Sequence, residues 1–136
     1  MSNISIRTDL KPAAKDAVGL YLSVGWGKIE NYSLDAWNVA LENNNFLVTA
    51  YDGSVLVGLA RVLSDNVNDT YITDVVVHPR YQKSGIGRNL VEQVLKSYSH
   101  TAVYVCGLSS AEDFIIKCGL KKKAQLSALS VAATLV

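Results

Sequence analysis

Cysteine is scarce in this chain. Cys106 and Cys118 are its only two, too few and too isolated for a disulfide framework or a metal site. A charge excess is also missing: 13 Lys and Arg face 12 Asp and Glu, leaving +1, so no global field draws nucleic acid or an anionic membrane. The absence of basic patches interleaved with aromatics argues against a nucleic-acid reader as well. Lys121-Lys122-Lys123 is the one run of like charge, and it reads as a solvated turn, with a ligand role as the alternative. No apolar run approaches a membrane span, and Met1-Ser2-Asn3-Ile4-Ser5-Ile6-Arg7 lacks the apolar core of a signal segment. A reducing cytoplasm is therefore the expected location, with no membrane partner. Repeats and low-complexity linkers are absent too, and 136 residues are enough for one domain that buries about two thirds of its unfolded surface.

What is present is a strand that runs through a basic, glycine-bearing turn into a helix: Val75-Val76-Val77-His78-Pro79-Arg80-Tyr81-Gln82-Lys83-Ser84-Gly85-Ile86-Gly87-Arg88. The two glycines let backbone approach a ligand, and the first-turn amides of the following helix have no partners within it. A phosphate placed there gains those donors, the positive end of the helix dipole and the charges of Arg80, Lys83 and Arg88. The turn is not a nucleotide P-loop, because Arg88-Asn89 stands where Lys and Ser or Thr are required, nor a dinucleotide fingerprint, because Leu90 replaces the third glycine. A tight turn whose glycines serve packing is the plainer alternative.

The surrounding pattern alternates. A strand is predicted over 4–7, a helix from Pro12 to about Val24 with Val18, Tyr21 and Leu22 on one stripe, a break at Gly25-Trp26-Gly27, and a second helix capped by Ser33 that carries Leu34, Trp37, Val39 and Leu41. Strands follow over 46–51 and 54–63 around the hairpin signal Asp52-Gly53, then over 71–77. An amphipathic helix over 85–98, a strand over 102–106 and a short helix from Ser109 to Lys117 complete the order.

Gln82, Gly85 and Gly87, read as Gln-x-x-Gly-x-Gly behind a Val-rich strand and a Pro, resemble the acyl-CoA segment of the GNAT superfamily of N-acetyltransferases. The element order is similar over nearly the whole chain. The resemblance implies an α/β (α+β) fold, one domain over 1–136 with a mixed central sheet of about six to seven strands flanked by about four helices. Ser23-Val24-Gly25-Trp26, Val57-Gly58-Leu59-Ala60-Arg61 and Asp74-Val75-Val76-Val77 look like the small bacterial and plastid-type branch that includes arylalkylamine acetyltransferases.

The implied chemistry is direct acetyl transfer from acetyl-CoA, with no metal, to a primary amine of a small molecule or peptide within one ternary complex. The family pattern places the acyl arm along Val75, Val76 and Val77 and the pyrophosphate over Gln82, Lys83, Ser84, Gly85, Ile86, Gly87 and Arg88. Asp74 is the best-placed ionisable group for the amine. Strand alternation sets it beside Ile72 and Val76, where desolvation would raise its proton affinity. The alternative is a strand-end carboxylate that binds an amide or the cationic amine without taking a proton. Tyr71, His78 and Tyr81 are secondary candidates.

The acid is a departure. Phe114-Ile115-Ile116-Lys117-Cys118-Gly119-Leu120 resembles the family's closing element, but Ile115 stands where a tyrosine commonly protonates the thiolate. Ser109, Ser110, Tyr104, Cys106 or water are the candidate replacements, and a thiol with a pKa of about 8.5 leaves tolerably without one. A catalytically degenerate CoA-binding or sensor domain is the alternative function. The two cysteines have no histidine close in sequence and read as inert packing rather than nucleophiles. The second departure is 124–136, apolar and without turn residues, whose open edge as a strand would favour a homodimer.

Overall fold

The computed structural model describes residues 3–107 and 109–134, the side chain of Ser109 excepted. They fall into two compact units, Met1–Val105 and Cys106–Val136. The first holds strands β1 (Ile4–Arg7), β2 (Phe46–Asp52), β3 (Val55–Ser64), β4 (Asp69–Val77) and β5 (Ala102–Val105), with helices α1 (Ala14–Ser23), α2 (Leu34–Asn43) and α3 (Ile86–Ser97). The strands form one sheet in chain order. Neighbours run antiparallel from β1 to β4, and β5 joins β4 in parallel after the α3 crossover, so the sheet is mixed as expected.

Each face of the sheet has its own helices. On one side Ala14, Ala17, Leu20 and Tyr21 of α1 and Leu41 of α2 pack against Leu56, Leu59 and Val76. On the other, Ile86 and Leu90 of α3 come so close to Gly58 that a Cβ there would stand 3.2 Å from both of them and from Ala50. Buried Thr70 ties the layers at their edge, its hydroxyl lying 2.9 Å from that of Ser64 and 2.6 Å from that of Thr101.

Local signals account for most boundaries. The Ser33 hydroxyl accepts from the Ala36 amide at 3.2 Å and starts α2. Asp52 pairs with Val55 across the two-residue loop Gly53-Ser54. Helix α1 begins two residues after Pro12, and its buried stripe is Ala14, Ala17, Val18, Leu20 and Tyr21, while Leu22 is half-buried. Helix α2 departs further from expectation: Leu41 is buried, but Leu34 and Val39 are exposed, because only one narrow stripe of this short helix meets the core.

The second unit contains a 3₁₀ turn over Ser109–Ala111 and the short helix α4 (Glu112–Lys117). Ala111, not Ser109, occupies the N-cap position of α4. Gly119 ends the helix in a left-handed conformation, and Lys122 forms an exposed ion pair with Glu112 at 3.4 Å. Residues 120–134 form no strand or helix, so the described sheet has five strands rather than the expected six to seven. Without a Gly, Pro, Asn or Asp after Gly119 the chain has no residue suited to turning a closing hairpin. The edge-strand basis for a homodimer is therefore missing from the described residues; Leu135 and Val136 lie outside them. No described helix is long and apolar enough to cross a membrane.

Candidate active site

Beyond β4 the chain makes a 3₁₀ turn over Pro79–Tyr81 and enters α3 through a loop with two left-handed residues, Lys83 (φ 63°) and Gly85 (φ 89°). Gly85 is the N-cap of α3 and brings no side chain to cap it. The first intrahelical bond is from the Asn89 amide to the Gly85 carbonyl, 3.0 Å. The amides of Ile86, Gly87 and Arg88 therefore have no acceptor among the described residues and stand at the positive end of a 12-residue helix. That is the donor set a pyrophosphate needs.

Side chains hold this loop from behind. Gln82 donates from Nε2 to the Val77 carbonyl at 2.9 Å, and Ser84 donates to the Tyr81 carbonyl at 2.5 Å. The Tyr81 hydroxyl donates to Asp52 Oδ2 at 2.6 Å, pinning the turn to the β2–β3 hairpin. That bond, then burial, raises the Tyr81 pKa and keeps it a phenol. His78 accepts the Arg80 amide at Nδ1, 3.2 Å. Gln82 and Ser84 thus shape the cradle with their side chains, and what they offer a ligand is backbone. Arg80 and Lys83 are exposed, and Arg88 is in a solvent-exposed pair with Glu92 at 3.1 Å, a contact weak enough to yield to a phosphate.

Upstream, β5 pairs with β4 only from Asp69↔Ala102 to Ile72↔Val105. Residues 73–77, which include Val75, Val76 and Val77, are left with an open edge on that side among the described residues. Unpaired strand amides and carbonyls directly before a phosphate cradle suit an extended acyl arm that carries amide groups of its own.

Ile72 is not where strict alternation puts it. The β3–β4 register runs Leu59↔Val76, Ala60↔Val75, Arg61↔Asp74 and then slips to Val62↔Ile72, leaving Thr73 as an extra residue. This bulge reverses the faces: Ile72 joins Val62 on the α3 side, while Asp74 shares the α1 side with Val76 and Tyr71. The neighbours of Asp74 are polar as well. Its Oδ2 accepts from the Tyr21 hydroxyl at 2.9 Å and from Arg61 Nε in a close ion pair. The expectation of an acid flanked only by apolar groups is corrected, because Arg61 and Tyr21 converge on it across the bulge. Burial alone would lower the Arg61 pKa, but its bonds to Asp74 and Tyr21 outweigh that and raise it. Burial, then the charge of Asp74, raises Tyr21 well above the usual phenol range.

An aromatic cluster surrounds this network. The Tyr21 ring stacks on Trp26 with centroids 5.7 Å apart and tilts against Trp37 at 4.9 Å. The Arg61 guanidinium lies 4.7 Å over the Trp37 ring. Tyr32 closes the group, donating its hydroxyl to the Trp26 carbonyl. Trp26 reaches Tyr21 because the helix breaks between two left-handed glycines, Gly25 and Gly27. A signal for Arg61 was its place as the lone charge inside the otherwise apolar strand β3.

Of the secondary candidates, Tyr71 is exposed on β4 opposite Leu63 and Tyr104, both exposed as well. In the second unit Cys106 and Ser110 are exposed, Ile115 is half-buried in α4 and Cys118 is buried. Among the described residues no group of three or more His, Cys, Asp or Glu gathers to hold a metal.

Comparison with known proteins bears on the family and the fold. An uncharacterized N-acetyltransferase, ycf52, of Pyropia yezoensis is 31% identical over 97 residues, covering 68% of this chain and 54% of the relative. The chloroplastic GCN5-related N-acetyltransferase 2 of Arabidopsis thaliana is 31% identical over 102 residues, covering 60% of this chain and 38% of its own length. This chain spans about half the length of the ycf52 proteins it matches, or somewhat less. A GNAT family acetyltransferase of Streptococcus pneumoniae superposes with a TM-score of 0.81 at 23% identity, covering 96% of this chain and 98% of that one, which is a likeness of fold. The model of the acetyltransferase (GNAT) family matches residues 10–115, a span that runs from ahead of α1 into α4 and includes the whole β4–α3 loop, and the chain belongs to that family.

Proposed function

We propose that this chain binds acetyl-CoA at the β4–α3 loop and transfers the acetyl group directly to a primary amine in a ternary complex. The observation that carries the reading is the uncapped start of α3, three free amides following an open strand edge. Acetyl-CoA supplies an activated acyl carbon and a thiolate leaving group. The amides of residues 83–88 hold the pyrophosphate, with Arg80, Lys83 and Arg88 adding charge. The open edge of residues 73–77 fixes the acyl arm and offers a main-chain donor to the developing oxyanion. As the amine nitrogen bonds to the acyl carbon and the C–S bond breaks, the nitrogen loses a proton, and Asp74 is the acidic side chain we assign to the amine. The aromatic groups Trp26, Tyr32 and Trp37 favour an acceptor with a flat apolar body, in line with the arylalkylamine-like segments.

The test is a panel of primary amines with acetyl-CoA, read by release of free thiol while both concentrations vary. Intersecting initial-rate patterns and a preference for aryl-bearing amines are expected. Parallel patterns would point to an acyl-enzyme instead. Asp74→Asn should raise the amine KM or lower turnover with the acetyl-CoA KM unchanged, and wild-type kinetics in that variant would remove Asp74 from the site.

Ile115 favours a second reading, a CoA-binding domain without turnover. The Ile115→Tyr variant separates the two. A working enzyme that activates the thioester through its backbone should change only a few fold in rate, whereas a domain disabled at this one position should gain roughly the 10²- to 10⁴-fold contribution of a placed acid. A silent wild type with a large gain in the variant would establish the binder.

A further inference from the structure

The Tyr21 hydroxyl and Arg61 Nε meet on the same oxygen of Asp74. Oδ1 receives no hydrogen bond from the described residues, and the Asp74 side chain keeps 19% of its surface exposed while Arg61 keeps 16%. Both donors are themselves fixed. Tyr21 is 2% exposed in the α1 core, and the Arg61 guanidinium lies against Trp37. The bulge at Thr73 aims Asp74 at them, and the Thr73 hydroxyl bonds back to the Arg61 carbonyl at 3.3 Å. A carboxylate gripped through one oxygen has only the other to offer, in one direction.

We propose that Arg61 and Tyr21 are positioning residues for the acceptor amine, acting through Asp74: they hold Oδ2 so that Oδ1 accepts a hydrogen bond from the incoming nitrogen. The inference rests on the acetyltransferase reading and deepens it. Asp74 then orients the amine through Oδ1, because Oδ2 is already taken by the Tyr21 hydroxyl and Arg61 Nε. The same ion pair cancels the charge of Asp74, so the acceptor is gripped by direction and not by a net negative field. Arg61 is the larger contributor, since its bond carries charge on both partners.

A kinetic cycle tests this. Arg61→Gln should raise the amine KM about 10- to 100-fold, the range for a lost charge-assisted hydrogen bond, and leave the acetyl-CoA KM within about twofold. Arg61→Lys should recover part of the loss, and Tyr21→Phe should show the same split at a few fold. In an Asp74→Asn background Arg61→Gln should add little, because both changes remove one interaction. Equal losses in the two backgrounds, or an acetyl-CoA KM that rises as much as that of the amine, would overturn the positioning role. If Arg61→Gln does not fold, the Arg61→Lys and Tyr21→Phe cycles with Asp74→Asn decide by the same criterion. Wild-type thiol release with no amine on the panel would sink the acetyltransferase reading itself, whereas turnover with additive variants sinks only this inference.

Discussion

Gly87→Val should lose acetyl-CoA binding while the fold stays intact. Gly87 is the second residue of α3, and helical side chains lean toward the N-terminus, so a valine there reaches over the three amides that open onto the ligand. Two lost amide bonds to a charged phosphate, each about 1.5–3 kcal/mol, amount to at least about a hundredfold in affinity. Helix propensity runs the other way, since valine is the better helix former by a few tenths of a kcal/mol, so unfolding does not account for the loss. Calorimetry of acetyl-CoA binding, with circular dichroism of both proteins, reads the result. Affinity within about threefold of wild type would remove the cradle from the account. Gly85 is the poorer probe, because its φ of 89° makes any side chain strained regardless of ligand.

Gly58→Val should cost the fold itself. The 3.2 Å distances from its virtual Cβ to Ala50, Ile86 and Leu90 are already tight for alanine, and valine adds two more carbons between β3 and α3. Overpacking of this kind costs about 1–3 kcal/mol, and part of the strain is relieved only by lifting the start of α3 off the sheet. Ile86 is the first residue of that helix, so the cradle moves with it. A Tm lower by about 5–10 °C is expected together with weaker acetyl-CoA binding. An unchanged Tm would mean that the close approach of α3 to β3 is not a constraint on the fold.

The parts of the molecule legible in sequence are those written in local chemistry. Ser33 announces a cap, Asp52-Gly53 a hairpin, and Val75-Val76-Val77 followed by Gly85 and Gly87 a strand entering a helix. Asp74 was found as well, yet its surroundings were not, because the inserted Thr73 is invisible to a period-two reading and puts Ile72 on the face opposite Asp74. Tyr21 looked like a core residue on an apolar stripe and is one, but its hydroxyl end leaves the core for the site. Leu34 and Val39 illustrate the opposite error: apolar residues on a helix predict burial only if a partner surface exists on their side. The end of the chain was the least legible. Its small and β-branched residues suit strand and helix alike, and nothing in 120–134 fixes a turn.

Acetyl-CoA labelled in its acetyl group, incubated with the wild-type chain and a mixed set of arylalkyl, aliphatic and peptide amines, tests the central claim most directly. Label appearing on an amine nitrogen in one-to-one amount with free thiol is the expected result, with no label retained on the protein. Thiol release without an acetylated amine, label held on Cys106 or Cys118, or no release from a chain that binds acetyl-CoA would each contradict direct transfer to an amine.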